Sequence, residues 1–248
     1  MDENTIKSQV KSHYAAIAQS GGSCCSPDSV AVNPLIDYSS LDLLPVEGSD
    51  LGLGCGMPTR FAALQPGEVV LDLGSGAGID VFLAAREVGE TGFAIGVDMT
   101  EAMIERAWQN ARKHQIKNVD FRLGEIEALP VDSSSIHVVL SNCVINLAPD
   151  KQRVFAEIAR VLKPGGRFIV SDIVTFGDVP PEIRQDMELW AGCVAGAVDE
   201  QEYLGIIRAN GFVDLKFHSR SSTTENAAEN QAEPAYGMVS ITIEARKS

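Results

Sequence analysis

Apolar and polar residues alternate along the centre of the chain in blocks that predict strands and helices in turn. Strands are predicted at 69–73, 93–97, 119–123, 136–141 and 167–172, and helices at 79–88, 101–114 and 150–162. Strands that alternate with helices usually form a parallel sheet with helices on both faces. The pattern therefore predicts an α/β fold with a doubly wound, mostly parallel sheet.

The two ends of the chain follow other patterns. A helix is predicted at 3–19, and residues 23–52 form a Ser-, Pro-, Asp- and Gly-rich connection of unusual length for a compact domain. Two helical segments are predicted within 180–210. The runs 212–218 and 237–245 alternate as an antiparallel strand pair does, and 219–234 is predicted to be the flexible tip between them.

The length and composition fit one domain with modest additions, since 248 residues with 45% apolar content can bury a sizeable core. We divide it into an N-terminal helix and cysteine-bearing cap segment at 1–65, a cofactor-binding core at 66–175, and substrate-side helices with the terminal strands at 176–248. No run approaches the roughly 20 apolar residues that cross a bilayer, and no basic, apolar leader is present. We expect a cytoplasmic protein with no membrane partner.

The charge of the chain excludes one class of substrate. A formal net charge of −14 repels a phosphate backbone, and no cluster of Lys and Arg offers a local exception. The most basic stretch, 111–117, lies at a predicted helix end, where cations complement the helix dipole. We expect no nucleic-acid partner and a small substrate.

A glycine-dense turn follows the first predicted strand in the run VVLDLGSGAG at 69–78. Its glycines are Gly74, Gly76 and Gly78, and Asp98 closes the next apolar run 20 residues later. A strand, a glycine turn, a helix and a second strand that ends in a carboxylate form the nucleoside-binding half of a doubly wound fold. The arrangement predicts a nucleoside cofactor whose ribose hydroxyls are held by Asp98.

The residues around the turn indicate which cofactor is bound. A dinucleotide turn would place its third glycine at position 79, where the chain has Ile79. Asp72, just before the turn, would repel a pyrophosphate but attract a cationic ligand. S-adenosylmethionine, with its ammonium and sulfonium charges, is such a ligand.

Two further motifs support this interpretation of the glycine turn. Gly124-Glu125 follows the strand VDFRL, and LKPGGRFIVSD lies at 162–172. Together with the glycine turn they resemble the class I methyltransferases over roughly 66–175, which implies a Rossmann-like fold and S-adenosylmethionine as cofactor. The resemblance implies that Glu125 meets the adenine amino group. The candidate cofactor-binding residues are Asp72, Gly74, Ser75, Gly76, Gly78, Asp98, Met99, Glu125, Ile126 and Asn142.

Two of these candidates have ordinary structural alternatives. Met99 either covers the adenine face or packs at the start of a helix. Asn142 and Asn146 either bond the methionine part of the cofactor or cap the turn before the helix 150–162.

Five cysteines bear on the substrate: Cys24, Cys25, Cys55, Cys143 and Cys193. Their spacing fits no CxxC zinc or redox pattern, and their odd number does not suggest a disulfide framework, so reduced thiols are expected. Cys143 follows the fourth predicted strand, at the sheet edge where doubly wound folds bind ligands. Cys55 and Cys193 lie among small residues, on segments that typically cover that edge.

The cysteine motifs are similar to those of one family, the arsenite S-adenosylmethionine methyltransferases. The similarity rests on GCGMPT at 54–59, SNCVINL at 141–147, WAGCVAGA at 190–197 and the Cys24-Cys25 pair in SCCSPD, and it extends over roughly 13–200. It implies that Cys55, Cys143 and Cys193 bind trivalent arsenic, free or as a thiol conjugate. It also implies that Cys24 or Cys25 pairs with Cys55, and that thioredoxin or glutathione reduces the disulfide. Which of the two adjacent cysteines reacts is left open.

The chemistry of arsenic agrees with these residue types. Trivalent arsenic is soft, so thiolates can hold it in a pyramid that leaves its lone pair free to attack a methyl carbon. No proton has to be removed, and no general base is expected among the scattered His13, His114, His137 and His218. Two other functions stay open: a C- or O-methyltransferase of small molecules with incidental cysteines, and a non-catalytic metalloid- or zinc-binding protein.

Overall fold

A computed structural model of the chain describes residues 2–20, 46–54, 56–177, 179, 190, 195–222 and 236–248. The strands in these ranges are β1 Val69–Leu73, β2 Phe93–Asp98, β3 Val119–Leu123, β4 Ile136–Asn142, β5 Leu162–Gly177, β6 Phe212–Ser222 and β7 Tyr236–Lys247. The helices are α1 Glu3–Ser20, α2 Pro58–Phe61, α3 Ile79–Val88, α4 Glu101–Lys113, α5 Lys151–Val161 and α6 Glu200–Ala209, and a 3₁₀ turn spans Ile145–Leu147.

The strands form one sheet in the order β3-β2-β1-β4-β5-β7-β6. Strands β1 to β5 are parallel to one another, whereas β7 is antiparallel to both β5 and β6. From β1 the chain adds β2 and β3 on one side, and it then adds β4 and β5 on the other side, so the strand order reverses between β1 and β4. Doubly wound folds bind ligands in the crevice outside the carboxyl ends of the strands at such a point. The predicted fold class and its terminal antiparallel pair are confirmed.

The register of the central strands brings their carboxyl ends to one level. Leu73 of β1 lies opposite Val97 of β2 and Ser141 of β4. The residues that follow these positions therefore emerge side by side at the same edge of the sheet, although they are far apart in sequence.

Helices cover both faces of the sheet through two apolar clusters, with α5 and α6 on one face and α2, α3 and α4 on the other. In α5 the buried positions Val154, Phe155, Ile158 and Val161 recur at helical spacing and form one apolar stripe. Asp150 precedes the helix as its N-cap residue, and its carboxylate accepts a hydrogen bond of 2.9 Å from the backbone N–H of Arg153.

Helix α1 lies over the carboxyl edge of the sheet. Its Ile6 and Val10 are buried in a third cluster with Cys143, Leu147 and Ile173. The predicted helix thus buries one apolar stripe and covers the crevice. No helix in the described ranges has both the length and the apolar character that crossing a bilayer requires.

Most predicted boundaries agree with the structure to within one residue, and β5 is the main exception. It runs from Leu162 to Gly177 rather than over 167–172, because a register shift opposite Ile136–Val138 admits the Pro164–Gly166 segment. Its last residues pair with β7 as far as Tyr236, and this antiparallel partner extends the strand.

Some other predictions are corrected, and others concern residues outside the described ranges. Residues 219–222, predicted as part of a flexible tip, extend β6, while α2 and the 3₁₀ turn are not predicted. Residues 46–52 form the expected irregular segment. The remaining parts of the predicted connection, of the first helical segment after residue 180 and of the hairpin tip lie outside the described residues. The three-part division of the chain stays a prediction.

Candidate active site

The loop between β1 and α3 forms part of a cleft at the carboxyl edge. The backbone N–H groups of Gly74 and Ser75 both donate to the carbonyl of Val97, at 2.8 and 3.1 Å, which draws the loop across β2. Gly74 has a φ of +66°, and a Cβ there would lie 2.4 Å from Cγ2 of Val144. Gly76 has a φ of +51° and would find no atom within 4 Å, so its backbone faces open space.

The cleft is open on one side and contains about 1060 Å³ of space not filled by protein atoms, part of which is open solvent. Eight of the ten candidate cofactor residues line it: Asp72, Gly74, Ser75, Gly76, Asp98, Met99, Ile126 and Asn142. Gly78 does not. It caps the start of α3 with a φ of +99°, and a Cβ there would lie 2.7 Å from the ring of Phe82. Its position serves the packing of the helix.

The carboxylates of Asp72, Asp80 and Asp98 lie near one another in the cleft. Asp72 is only 4% exposed, and burial, followed by repulsion from Asp80 and Asp98, raises its pKa well above the usual range. Asp80 is buried at the start of α3, where its Oδ1 accepts a hydrogen bond of 2.6 Å from the Thr59 hydroxyl. Carboxylates crowded in this way favour a cation as the ligand.

Asp98 is held at the end of β2 by two backbone donors. Its Oδ2 accepts from the N–H of Gly76 at 3.0 Å, and its Oδ1 accepts from the N–H of Thr100 at 2.8 Å. Burial raises the pKa of this carboxyl, and the two N–H groups act against the rise. An ionised carboxylate accepts hydrogen bonds only, so the oriented Asp98 suits a ligand that carries hydroxyl groups.

The acid in the loop after β3 is placed differently from the prediction. Glu125 is absent from the cleft lining, and its half-exposed side chain accepts from Nζ of Lys7 at 2.7 Å. Glu127 lines the cleft instead, with a side chain that is 6% exposed and an Oε1 that lies 3.0 Å from the same Nζ. The loop thus directs a second carboxylate inward and ties helix α1 to its outer side.

Cys143 lies on the cleft wall directly after β4. It is 6% exposed, its φ is +58°, and its N–H donates to the carbonyl of Ser171 at 2.8 Å. A left-handed conformation is uncommon for a residue with a Cβ and here turns the chain sharply away from the sheet. The expected reduced thiol is not what the structure has, because the sulfur of Cys143 is disulfide-bonded.

The other four cysteines, Cys24, Cys25, Cys55 and Cys193, lie outside the described residues. Residues near two of them lie at the cleft or against the 3₁₀ turn that follows Cys143. Gly54 lines the cleft, and a Cβ on Gly196 would lie 2.0 Å from the carbonyl oxygen of Asn146. The structure therefore brings segments adjacent to Cys55 and Cys193 to the edge that carries Cys143.

The two asparagines near Cys143 make contacts within the protein. Asn142 lines the cleft and hydrogen-bonds with Gly56 and Asp80. Asn146, fully buried in the 3₁₀ turn, donates to the carbonyl of Ile173 at 2.6 Å and so holds this turn on β5.

Sequence reasoning missed four charged residues that line the cleft: Lys7, Asp50, Asp80 and Glu127. Asp80 had a readable signal, because an acid in the first turn of the helix after a glycine turn points toward the same edge as the turn. Lys7 had none, since its contact with the loop after β3 spans 118 positions.

Comparisons with known proteins agree with this architecture. The chain matches a family model described as a methyltransferase domain over residues 64–211. It is 45% identical to an arsenite methyltransferase of Halobacterium salinarum, over 99% of this chain and 68% of that protein. It is 35% identical to an arsenite methyltransferase of Mus musculus, over 85% of this chain and 59% of that protein.

A solved structure supports the same relationship. The arsenic(III) S-adenosylmethionine methyltransferase from Chlamydomonas reinhardtii is 36% identical and superposes with a TM-score of 0.66, over 77% of this chain and 66% of that one. The chain spans between 59% and 68% of the length of these three relatives. The matched residues, the identity and the fold together show that the chain belongs to the methyltransferase-domain family and, within it, to the arsenite methyltransferases.

Proposed function

We propose that the chain transfers a methyl group from S-adenosylmethionine to trivalent arsenic held by cysteine thiolates. One observation carries the proposal. Cys143, a soft sulfur ligand, lies on the wall of the cleft that Asp72, Gly76 and Asp98 also line. A thiophilic substrate and a cationic nucleoside cofactor would therefore meet in one space, as the family relationship leads us to expect.

The residues of the cleft fit the cofactor. Asp72, with Asp80 beside it, supplies negative charge for the sulfonium and ammonium groups, and Asp98 is oriented for ribose hydroxyls. The buried Oγ of Ser75 has no hydrogen-bond partner in the described part of the chain, so it can serve a polar ligand group. When bound, S-adenosylmethionine supplies an electrophilic methyl group.

We assign the arsenic substrate to Cys55, Cys143 and Cys193. The arsenic lone pair forms the new As–C bond, while the S–CH₃ bond breaks and its electron pair stays on sulfur. Holding the two reactants in line is worth roughly 7–11 kcal/mol in well-oriented reactions, so positioning can replace acid–base catalysis. None of the four histidines, all of which the structure describes, is among the cleft-lining residues.

The transfer formally oxidises arsenic from the trivalent to the pentavalent state, so each cycle needs two electrons. We assign them to a pair of thiols that become a disulfide, Cys24 or Cys25 with Cys55. Thioredoxin or glutathione then reduces that disulfide by exchange. The disulfide at Cys143 supports the view that a second cysteine can approach this site.

The test is methyl transfer by the purified full chain in the presence of arsenite, glutathione and labelled S-adenosylmethionine. We expect labelled methylarsenic from the parent chain and a loss of about a hundredfold or more in Cys143→Ser, since the serine hydroxyl binds arsenic poorly. Cys55→Ser and Cys193→Ser show how many thiolates are needed. His137→Gln, changed far from the cleft, should keep the parent rate.

Cofactor affinity, measured by calorimetry, is the internal control in every variant. If S-adenosylmethionine binds but no methylarsenic forms, the arsenic proposal is refuted and carbon or oxygen acceptors come next. If arsenite binds and no methyl group moves to any acceptor, the chain is a metalloid-binding protein.

A further inference from the structure

The side-chain amide of Asn142 connects two of the cysteine-bearing segments. Its Oδ1 accepts from the backbone N–H of Gly56 at 3.1 Å, and its Nδ2 donates to the carbonyl of the same residue at 2.6 Å. Asn142 directly precedes Cys143, and Gly56 directly follows Cys55. Consecutive Cα atoms are about 3.8 Å apart, so the amide joins the immediate neighbours of both cysteines.

Asp80 completes this connection. The Nδ2 of Asn142 also lies 3.3 Å from Oδ2 of Asp80, whose Oδ1 accepts from the Thr59 hydroxyl at 2.6 Å. The segment that follows Cys55 is thus held at two points, Gly56 and Thr59. Asp80 and Thr59 are 3% and 4% exposed, so the carboxylate–hydroxyl bond is shielded from water.

The glycines on both sides of Cys55 permit this close approach. A Cβ on Gly54 would lie 2.7 Å from Nδ2 of Asn142, and a Cβ on Gly56 would lie 2.1 Å from Cβ of Ser171. Side chains at either position would push the segment off the ends of β4 and β5. The close approach explains why small residues flank Cys55.

We propose that Asn142 is a positioning residue that fixes the Gly54–Gly56 segment beside Cys143, and not a ligand of the cofactor. This role rests on the proposed function, since the segment carries one of the assigned arsenic ligands. Only an amide can accept from an N–H while it donates to a carbonyl and a carboxylate. Aspartate has the same shape but has no N–H donors, and it would place a negative charge against Asp80.

The direct test measures the spacing of the two thiols without methyl transfer. The full chain with Cys24, Cys25 and Cys193 changed to serine keeps only Cys55 and Cys143, and any disulfide at Cys143 is first reduced. Phenylarsine oxide then bridges these two thiols only when they lie close together. We expect Asn142→Ala and Asn142→Asp to weaken its binding by about tenfold, since hydrogen bonds to buried groups are lost. In Asn142→Ala, which adds no charge to the cleft, S-adenosylmethionine affinity measured on the same sample should stay within about twofold of the parent value.

Asn118→Ala is the matched control, because the Asn118 amide also donates to two backbone carbonyls, of Ala85 and Gly89, at the opposite end of the sheet. It should leave both affinities unchanged. Thr59→Val, which removes only the hydroxyl bond to Asp80, should weaken phenylarsine oxide binding by a smaller factor. If the Asn142 variants do not fold, the result for Thr59→Val tests the positioning role instead.

Unchanged phenylarsine oxide affinity in the folded variants overturns the positioning role. A fall of about tenfold in the S-adenosylmethionine affinity of Asn142→Ala overturns it too, and assigns Asn142 to the cofactor. Because the thiol measurement involves no methyl transfer, it separates this proposal from the proposed activity. A parent chain that binds phenylarsine oxide but does not methylate arsenite refutes only the activity.

Discussion

Asp172 gives the sharpest test of the energetics around the site. It lies in β5 with no exposed surface, and its carboxylate accepts from the Tyr203 hydroxyl at 3.1 Å and from the N–H of Ile173 at 3.0 Å. Burial raises its pKa to about 7, although Lys151 and the N–H of Asn146 act against the rise. The carboxyl therefore links β5 and α6 to the 3₁₀ turn that follows Cys143.

The sign of the pH effect follows from the raised pKa. Between pH values of about 4 and about 7 the folded chain holds this proton and the unfolded chain does not, so stability falls as the pH rises. The penalty is absent at lower pH and complete above about 7. A pKa that rises from 3.8 to about 7 lowers the free energy of unfolding by about 4 kcal/mol, of which about 3 kcal/mol develops between about pH 5 and about pH 8.

The assay is urea unfolding of the parent chain and Asp172→Asn at about pH 5 and about pH 8, with a reductant present so that the thiols do not interfere. Other carboxyls titrate in both chains, so their contributions cancel in the difference. We expect the unfolding free energy of the variant, relative to the parent, to rise by about 3 kcal/mol over this range. Asp132→Asn, at an exposed acid, is the matched control and should show no such rise.

A rise of less than about 1 kcal/mol would refute the reasoning, because it would mean that Asp172 ionises in the folded chain nearly as it does in water.

Three further predictions concern the cleft. Gly74→Ala should lower the free energy of unfolding by about 1–3 kcal/mol in urea titrations, because the φ of +66° and the 2.4 Å approach to Val144 both oppose a Cβ. Asp98→Ala should weaken S-adenosylmethionine and S-adenosylhomocysteine equally, by about tenfold or more in calorimetry, because it removes an acceptor for groups that both share. Asp72→Asn should weaken S-adenosylmethionine more than the neutral-sulfur S-adenosylhomocysteine, and an equal loss of both would contradict the charge argument.

Much of the fold could be predicted because its signals are local. The strands and helices of the core follow from apolar periodicity, and the glycine turn is readable because Gly74 and Gly76 occupy left-handed backbone. The limits of β5 were not readable, since the register shift at Pro164–Gly166 and the extension along β7 arise from partner strands that join it only in the folded sheet.

The candidate site could be predicted where residues sit at strand ends. Parallel strands in register deliver Asp72, Asp98 and Cys143 to one edge, so position in the sequence implies position in space. The loop after β3 breaks this rule. A tight turn, closed by the bond from the N–H of Ala128 to the carbonyl of Glu125, sends Glu127 inward, and nothing in the local sequence separates the two acids.

Asn142 illustrates the other limit. Its place after β4 correctly predicts that it reaches the cleft, but its role depends on Gly56, which is 86 positions away. The sequence shows a polar side chain at a ligand-binding edge, and a ligand is the natural interpretation of such a residue. The folded chain supplies a protein partner for the same amide, with the geometry of a backbone pair, and that partner lies next to a cysteine. Edge position thus predicts where a side chain lies, whereas long-range contacts decide whether it binds a ligand or holds the residues that do.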